Sequence, residues 1–291
     1  MKILNYGSIN IDYVYRVPHI ARPGETLASK SYEIFTGGKG ANQSVALAKA
    51  GAPVAHAGKV GKNSEWLLTK LDSYSISTDL IAVGGGRTGH AIIQVDDNGE
   101  NSIVLYPGAN RQIEKKEIDR VLQESQPGDI LLLQNEINNI PYLIEAGHGR
   151  GMRICLNPAP FSEEVPQYPL HLVNTFIINR IEGSGITGVK NPENIVSKLS
   201  RKYPECEIIL TVGKEGAIYH SSDEQVKVPA VAAEAIDTTG AGDTFIGYYL
   251  AARLDDRSAI ESLQIACRAA AICVSRKGAQ DSIPDRKEVF N

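Results

Sequence analysis

Asp237-Thr238-Thr239-Gly240-Ala241-Gly242-Asp243-Thr244 places a carboxylate at the start and near the end of a loop of small residues, and a helical pattern follows at once. Phe245, Tyr248, Tyr249 and Ala252 recur near the 3.6-residue period, so the spacing predicts a helix from Thr244 onward. Gly240 and Gly242 permit positive φ and close approach of a ligand to the backbone. The loop's N–H groups then point outward at a helix N-terminus, where the macrodipole favours an anion. A carboxylate inside an anion hole is out of place unless it does chemistry. Asp243 beside a bound phosphate suits a general base that takes a proton from an attacking hydroxyl. The alternative is an Asp cap on a glycine-rich turn, and this segment alone leaves both open.

Gly37-Gly38-Lys39-Gly40-Ala41-Asn42 is a second flexible loop, and it feeds the small-residue run Val45, Ala46, Ala48, Lys49, Ala50, Gly51. Its glycines let backbone approach a ligand, while Lys39 and Asn42 offer polar contacts. The Walker spacing G-x-x-x-x-G-K-[ST] is absent, and no G-x-G-x-x-G follows the first strand, which disfavours a dinucleotide-binding oxidoreductase. Two such loops, far apart in sequence, suggest one loop for each of two substrates.

Around the loops, strand-like and helix-like segments alternate. Residues 2–7, 54–57, 129–134, 153–156, 175–178 and 208–212 read as strands. Residues 39–51, 64–74, 114–123, 140–148 and 194–203 read as helices. This βαβ rhythm implies a mostly parallel sheet with helices on both faces. Two regions break it. Residues 12–35 alternate without a helix, and 89–106 read as a hairpin turning at Asp96-Asp97-Asn98-Gly99. Together they form a small separate sheet over one edge of the core. The whole chain, 1–291, reads as one domain with this appendage.

A formal charge of −4, from 30 Lys plus Arg against 34 Asp plus Glu, argues against a broad nucleic-acid footprint. No apolar run reaches the roughly 18 residues needed to span a bilayer. The start, Met1 to Asn5, leads into a strand instead of a signal sequence. Cys155, Cys206, Cys267 and Cys273 form no C-x-x-C pair and read as reduced, mostly buried thiols of a cytoplasmic protein. The six histidines show no H-x-x-x-H spacing, so a histidine zinc site has little support.

Several segments together resemble the ribokinase-like sugar kinases, the phosphofructokinase-B type carbohydrate kinase family. They are Gly7 to Asp12, Arg22 to Thr26, Gly37 to Asn42, Thr88-Gly89, Pro107 to Asn110, Leu156 to Pro160, Asp237 to Thr244 and Arg276 to Gln280. The resemblance runs nearly end to end. It implies a three-layer α/β/α fold with a mostly parallel central sheet and a small β-sheet lid. It further implies transfer of phosphate from ATP to a sugar, with D-ribose and its 5-hydroxyl favoured by the Leu156 and Arg276 segments. Another sugar or a nucleoside acting with the same machinery is the alternative, and a non-catalytic sensor is a third reading, weighed against by the intact Gly240 to Asp243 loop.

The same resemblance assigns roles to residues. Asn10, Asp12, Gly37, Gly38, Lys39, Asn42, Glu136 and Asp243 fall on sugar-binding positions. Read without it, Asn10 and Asp12 are an Asx turn and Glu136 an ordinary solvated side chain. Asn179, Thr211, Gly213, Gly216 and Gly242 fall on nucleotide positions. Glu182, in the Asn179-x-x-Glu182 spacing, falls where Mg²⁺ is ordered through water, although Arg180 stands where an acidic residue is usual. Asp237, Thr239, Cys273, Arg276, Gly278 and Ser282 map onto a monovalent-cation site for K⁺. Gly240, Ala241 and Gly242 form the anion hole beside the base Asp243. The family's lid also serves as a homodimer interface. Lys62-Asn63 and Trp66 depart from the family pattern, and Trp66 reads as a packed helix residue.

Overall fold

Residues 130–134 show how the short apolar runs become inner strands. Ile130 and Leu132 face one cluster of core side chains, and Leu131 and Leu133 face the other. A strand buried on both faces reads as an unbroken apolar run. The structure, a computed structural model, describes residues 2–290; Met1, the head of the expected strand-entering start, and Asn291 lie outside them.

The strands are β1 (Ile3–Tyr6), β2 (Asn10–Arg16), β3 (Ser31–Gly37), β4 (Val54–Val60), β5 (Ser77–Val83), β6 (Gly89–Val95), β7 (Asn101–Tyr106), β8 (Ile130–Gln134), β9 (Arg153–Asn157), β10 (Thr175–Asn179), β11 (Glu207–Thr211), β12 (Ala217–His220) and β13 (Gln225–Val228). The helices are α1 (Lys39–Lys49), α2 (Glu65–Asp72), α3 (Lys115–Leu122), α4 (Ile140–Gly149), α5 (Arg180–Thr187), α6 (Pro192–Lys202), α7 (Ala241–Leu254), α8 (Ala259–Val274) and α9 (Arg286–Val289).

Nine strands form the main sheet in the order β13-β12-β11-β10-β9-β8-β1-β4-β5. From β11 to β5 all neighbours run parallel, and β12 and β13 append an antiparallel edge. Side chains of α1, α2, α7 and α8 build the core on one face, and those of α3, α4 and α6 build it on the other. This is the expected three-layer α/β/α fold. The chain leaves β1 toward β4 on one side and toward β8 on the other, so the carboxyl ends of β1 and β8 flank the topological switch point, where open α/β sheets bind ligands.

The second sheet has the order β3-β2-β6-β7 and joins the two expected β regions. Its rows are set at the base, where Asn10 opposes Gly37 on one side and Gly89 on the other. Two residues up, Asp12 opposes Phe35 and Ala91. The alternate positions make a second face. There Tyr13 opposes both Ile34 and Ile92, and Ile92 opposes Val104. Ile34, Ile92 and Val104 of this face are exposed, as are Tyr32 and Tyr106.

Helix α7 begins earlier than the sequence spacing predicts, at Ala241 and not Thr244. Gly240, at φ 76°, turns the chain into it with no side-chain cap. Asp243 therefore sits in the helix's first turn. From Thr244 to Ala252 every residue is buried, so α7 is a core helix, apolar nearly all round.

Candidate active site

Strands β1, β8, β9, β10 and β11 end side by side, and a cavity of about 470 Å³ opens above them. Asn10 and Asp12 line it from the small sheet, with Ala91, Ile93, Ile103 and Leu105. Gly38, Lys39 and Asn42 line it from the start of α1, and Glu136 from the loop after β8. Thr238, Thr239, Gly240, Gly242 and Asp243 line it from the second glycine loop and the first turn of α7, Asn179 and Thr211 from the ends of β10 and β11, and Glu182 from the first turn of α5. The two glycine loops thus serve one cavity. They meet where Asn42 Nδ2 donates to Asp243 Oδ2 at 3.1 Å.

Asn10 and Glu136 are held by hydrogen bonds to neighbouring segments. Asn110 Nδ2 donates to Asn10 Oδ1 at 2.8 Å, while Asn110 Oδ1 accepts the Ile9 N–H. Glu136 Oε2 accepts from the Ser8 hydroxyl and from the Lys39 N–H at 2.9 Å. Gly37 is required by packing, because a Cβ there would lie 2.1 Å from the Asp12 carboxylate. Burial, and secondarily the charge of Glu136, push the Asp12 carboxyl up to about 7. The Lys39 ammonium is held above its ordinary range chiefly by Asp243, against burial, and further by Glu136 and Glu182.

At the anion end, the N–H groups of Gly240 and Gly242 find no acceptor among the described residues, as the first turn of a helix requires. The expectation for Ala241 needs correction. Its N–H turns back onto the Thr238 carbonyl at 3.3 Å, and Ala241 is not among the cavity's lining residues.

Asn179 and Glu182 form a capping box at the start of α5. Asn179 Oδ1 accepts from the N–H groups of Ile181 and Glu182, and Glu182 Oε2 accepts the Asn179 N–H at 2.9 Å. Glu182 still reaches the cavity, and burial raises its carboxyl above the ordinary value. Arg180 turns away and pairs with Glu215. Thr211 lines the cavity, but Gly213 and Gly216 do not. Gly216 answers to packing: at φ 99°, its Cβ would stand 1.9 Å from the Val228 carbonyl oxygen. Trp66 is 42% exposed, so it is not the packed residue expected, and it too lies outside the cavity.

The residues expected around a monovalent ion do gather beside the second glycine loop. Asp237 Oδ1 accepts the Thr239 N–H at 2.9 Å and Oδ2 the Gly278 N–H at 3.0 Å. Cys273 Sγ lies 3.1 Å from Ser282 Oγ, and Ser282 donates to the Ala279 carbonyl at 2.7 Å. The Arg276 guanidinium points elsewhere, to Glu288. Among the described residues no group of three His, Cys, Asp or Glu could hold a metal ion. A set of carbonyl and hydroxyl oxygens with one carboxylate is a hard, weakly charged donor set that fits a monovalent cation.

The sequence did not single out four groups that the structure places in or under the site. Gln43 donates to Asp243 Oδ1 at 2.9 Å. Asn157 donates to Glu182 Oε2 at 3.4 Å. Gln280 donates to Asn42 at 3.1 Å and accepts from Thr36 of the small sheet. Ser8 orients Glu136.

Amides and carboxylates that suit hydroxyls at one end, and glycines at a helix N-terminus at the other, describe a phosphotransferase with a polyol acceptor. Comparison with known proteins agrees. The profile of pfkB family carbohydrate kinase matches residues 1–286. A ribokinase of Haemophilus influenzae is 35% identical over 300 residues, covering 98% of this chain and 95% of that protein. A deoxyribokinase of Salmonella typhi is 32% identical over 300 residues, covering 100% and 98%. The structure of Arabidopsis thaliana ribokinase complexed with ribose and ATP superposes with a TM-score of 0.85 at 27% identity, over 99% of this chain and 97% of that one. The chain belongs to the pfkB family of carbohydrate kinases.

Proposed function

We propose that this kinase transfers the γ-phosphoryl group of ATP to the 5-hydroxyl of D-ribose. The observation that carries the reading is the meeting of Asn42 and Asp243, one from each glycine loop, in a single cavity. Asn10, Asp12, Lys39, Asn42 and Glu136 hold the sugar hydroxyls. Asp243 takes the proton as the hydroxyl attacks, and the N–H groups of Gly240 and Gly242 face the charge on the transferred group. The nucleotide lies along Asn179 and Thr211. Glu182 would hold Mg²⁺ through water, and the ion would supply charge neutralisation on the phosphates. Asp237, the Thr239 carbonyl and Ser282 would hold K⁺, which would order the loop.

The whole chain acts as one kinase domain whose lid is carried by residues 12–35 and 89–106. The exposed apolar face of the lid, Tyr32, Ile34, Ile92, Val104 and Tyr106, supports a homodimer formed through it. Four free, buried cysteines suit the cytoplasm, where thiols stay reduced.

A coupled ADP-release screen over pentoses, hexoses and nucleosides, run in potassium and in sodium-only buffer, tests this function. Turnover is expected with ribose and at a higher rate in potassium. Turnover of another sugar or a nucleoside with none of ribose replaces the substrate assignment, and equal rates in the two buffers remove the cation site.

The Asp12 carboxyl adds a pH dependence. In the free protein its ionised form is disfavoured, so Asp12 subtracts from stability as pH climbs from its ordinary 3.8 through about 7. Sugar hydroxyls donate to the ionised form and so bind better as it forms. KM for the sugar is expected to fall by about tenfold between pH 6 and 8, as a single ionisation dictates. Asp12→Asn should flatten that profile; a profile unchanged by the substitution would assign the titration to another group.

A further inference from the structure

Beneath the cavity floor, four buried amides form a chain with a direction. Gln134 Nε2 donates to Asn5 Oδ1 at 2.9 Å and to Gln43 Oε1 at 2.7 Å. Gln43 Nε2 donates to Asp243 Oδ1 at 2.9 Å and to Asn157 Oδ1 at 3.2 Å. Asn157 Nδ2 donates to the Ile177 carbonyl at 2.9 Å and to Glu182 Oε2 at 3.4 Å. Asn5, Gln43 and Gln134 have no exposed surface. Each oxygen in the chain from Gln43 onward accepts from the amide behind it, and each nitrogen gives to the group ahead. The network itself sets the amide orientations, because a reversed Gln43 would turn its oxygen on the Asp243 carboxylate.

Resting on the reading of Asp243 as the base, we propose that Gln43 is a positioning residue for phosphoryl transfer. With Asn42 it clamps both oxygens of Asp243, Asn42 on Oδ2 and Gln43 on Oδ1, while the carboxylate still lines the cavity with acceptor capacity to spare. Through Asn157 the same amide ties this carboxylate to Glu182, so the spacing of the two anions is fixed by groups that carry no charge. Carboxamides do not ionise near neutrality. The proton that Asp243 receives from the sugar therefore cannot pass into the protein along this chain. A residue that merely filled space on α1 would be apolar here, since a buried amide without partners is costly.

The test uses the full chain carrying Gln43→Met, which keeps the length and removes the donor, and Gln43→Glu, which keeps the shape and sets an acceptor against the carboxylate. The readouts are kcat, KM for sugar and for ATP, and thermal unfolding. Both substitutions are expected to lower kcat by about 10²-fold, as loss of reacting geometry does, with both KM values within about threefold of the parent and Gln43→Glu the slower. A kcat within about threefold of the parent overturns the proposal, and so does a rise in KM at unchanged kcat. Failure of both variants to fold also overturns it, because the amide would then hold the fold and not the base. Asp243→Asn in the same series separates the two ideas. If it stays active, the base reading fails; if it is inactive while Gln43→Met runs at the parent rate, only the positioning role fails.

Discussion

Asp243→Asn is expected to lower kcat by about 10²-fold or more, with sugar and ATP still bound, because positioning and base catalysis are separable contributions. The structure adds a second consequence. Asp243 accepts from two side-chain amides, Gln43 on one oxygen and Asn42 on the other. An amide at position 243 can face only one of them with its oxygen and must turn N–H groups on the other. One buried donor loses its acceptor, at a cost of about 1–3 kcal/mol. Reduced stability should therefore accompany the lost rate. Asp243→Ala removes the carboxylate together with the acceptor of both amides, and steady-state kinetics with calorimetric binding on both variants separates lost rate from lost binding. A near-parental kcat in Asp243→Ala would remove Asp243 from the chemistry, and loss of binding with kcat retained would make it a sugar ligand alone.

Gly247→Leu is expected to damage both fold and rate. A Cβ at Gly247 would lie 2.4 Å from the Ala46 Cβ and 2.8 Å from the Leu47 nitrogen, so α1 and α7 touch backbone to backbone at this point. Neither neighbour is a flexible side-chain end that can swing aside. The two helices must separate, which costs about 3 kcal/mol for an overpacked core and more where backbone has to move. Because α1 carries Asn42 and Gln43 and α7 carries Asp243, the separation also pulls the Asp243 carboxylate from its donors, and kcat should fall by about 10²-fold. Urea unfolding and kinetics on the same preparation check both parts. Parental stability in Gly247→Leu would mean that the helices are not in contact as described.

How much of this was legible in the sequence depends on whether a signal is local. The apolar runs and paired glycines act on their own neighbours, so the parallel sheet, the lid hairpin and both loops could be read from the chain. The last part of helix α8, from Ala269 to Val274, has no polar side chain, and β12 and β13 are four residues each, so their periodicity is too weak to single them out. Gln43 had one faint hint, its position four residues after Lys39 on the same helix face. Nothing local distinguishes Asn157 or Gln280, whose partners arrive from distant segments. The Asn179-x-x-Glu182 spacing was ambiguous for a physical reason: the third residue of a helix is where a carboxylate returns to its own cap, so a capping box and a ligand site share one signature.

The bottom row of the lid, Gly37, Asn10 and Gly89, has a further implication for altering this enzyme. A Cβ at Gly89 would lie 2.4 Å from Asn10 Oδ1 and 2.2 Å from Asn110 Nδ2, so this row admits little change. Above it the lid contributes Asp12, Ala91, Ile93, Ile103 and Leu105 to the cavity, whereas Asp243, Glu182 and the second glycine loop belong entirely to the main sheet and its helices. The lid thus adds Asp12 and an apolar lining to a cavity whose other proposed sugar contacts, Lys39, Asn42 and Glu136, come with α1 and the main sheet. Grafting the lid of a relative onto this chain above that row would exchange Asp12 and the apolar lining alone, with Lys39, Asn42, Glu136 and the second glycine loop left as they stand.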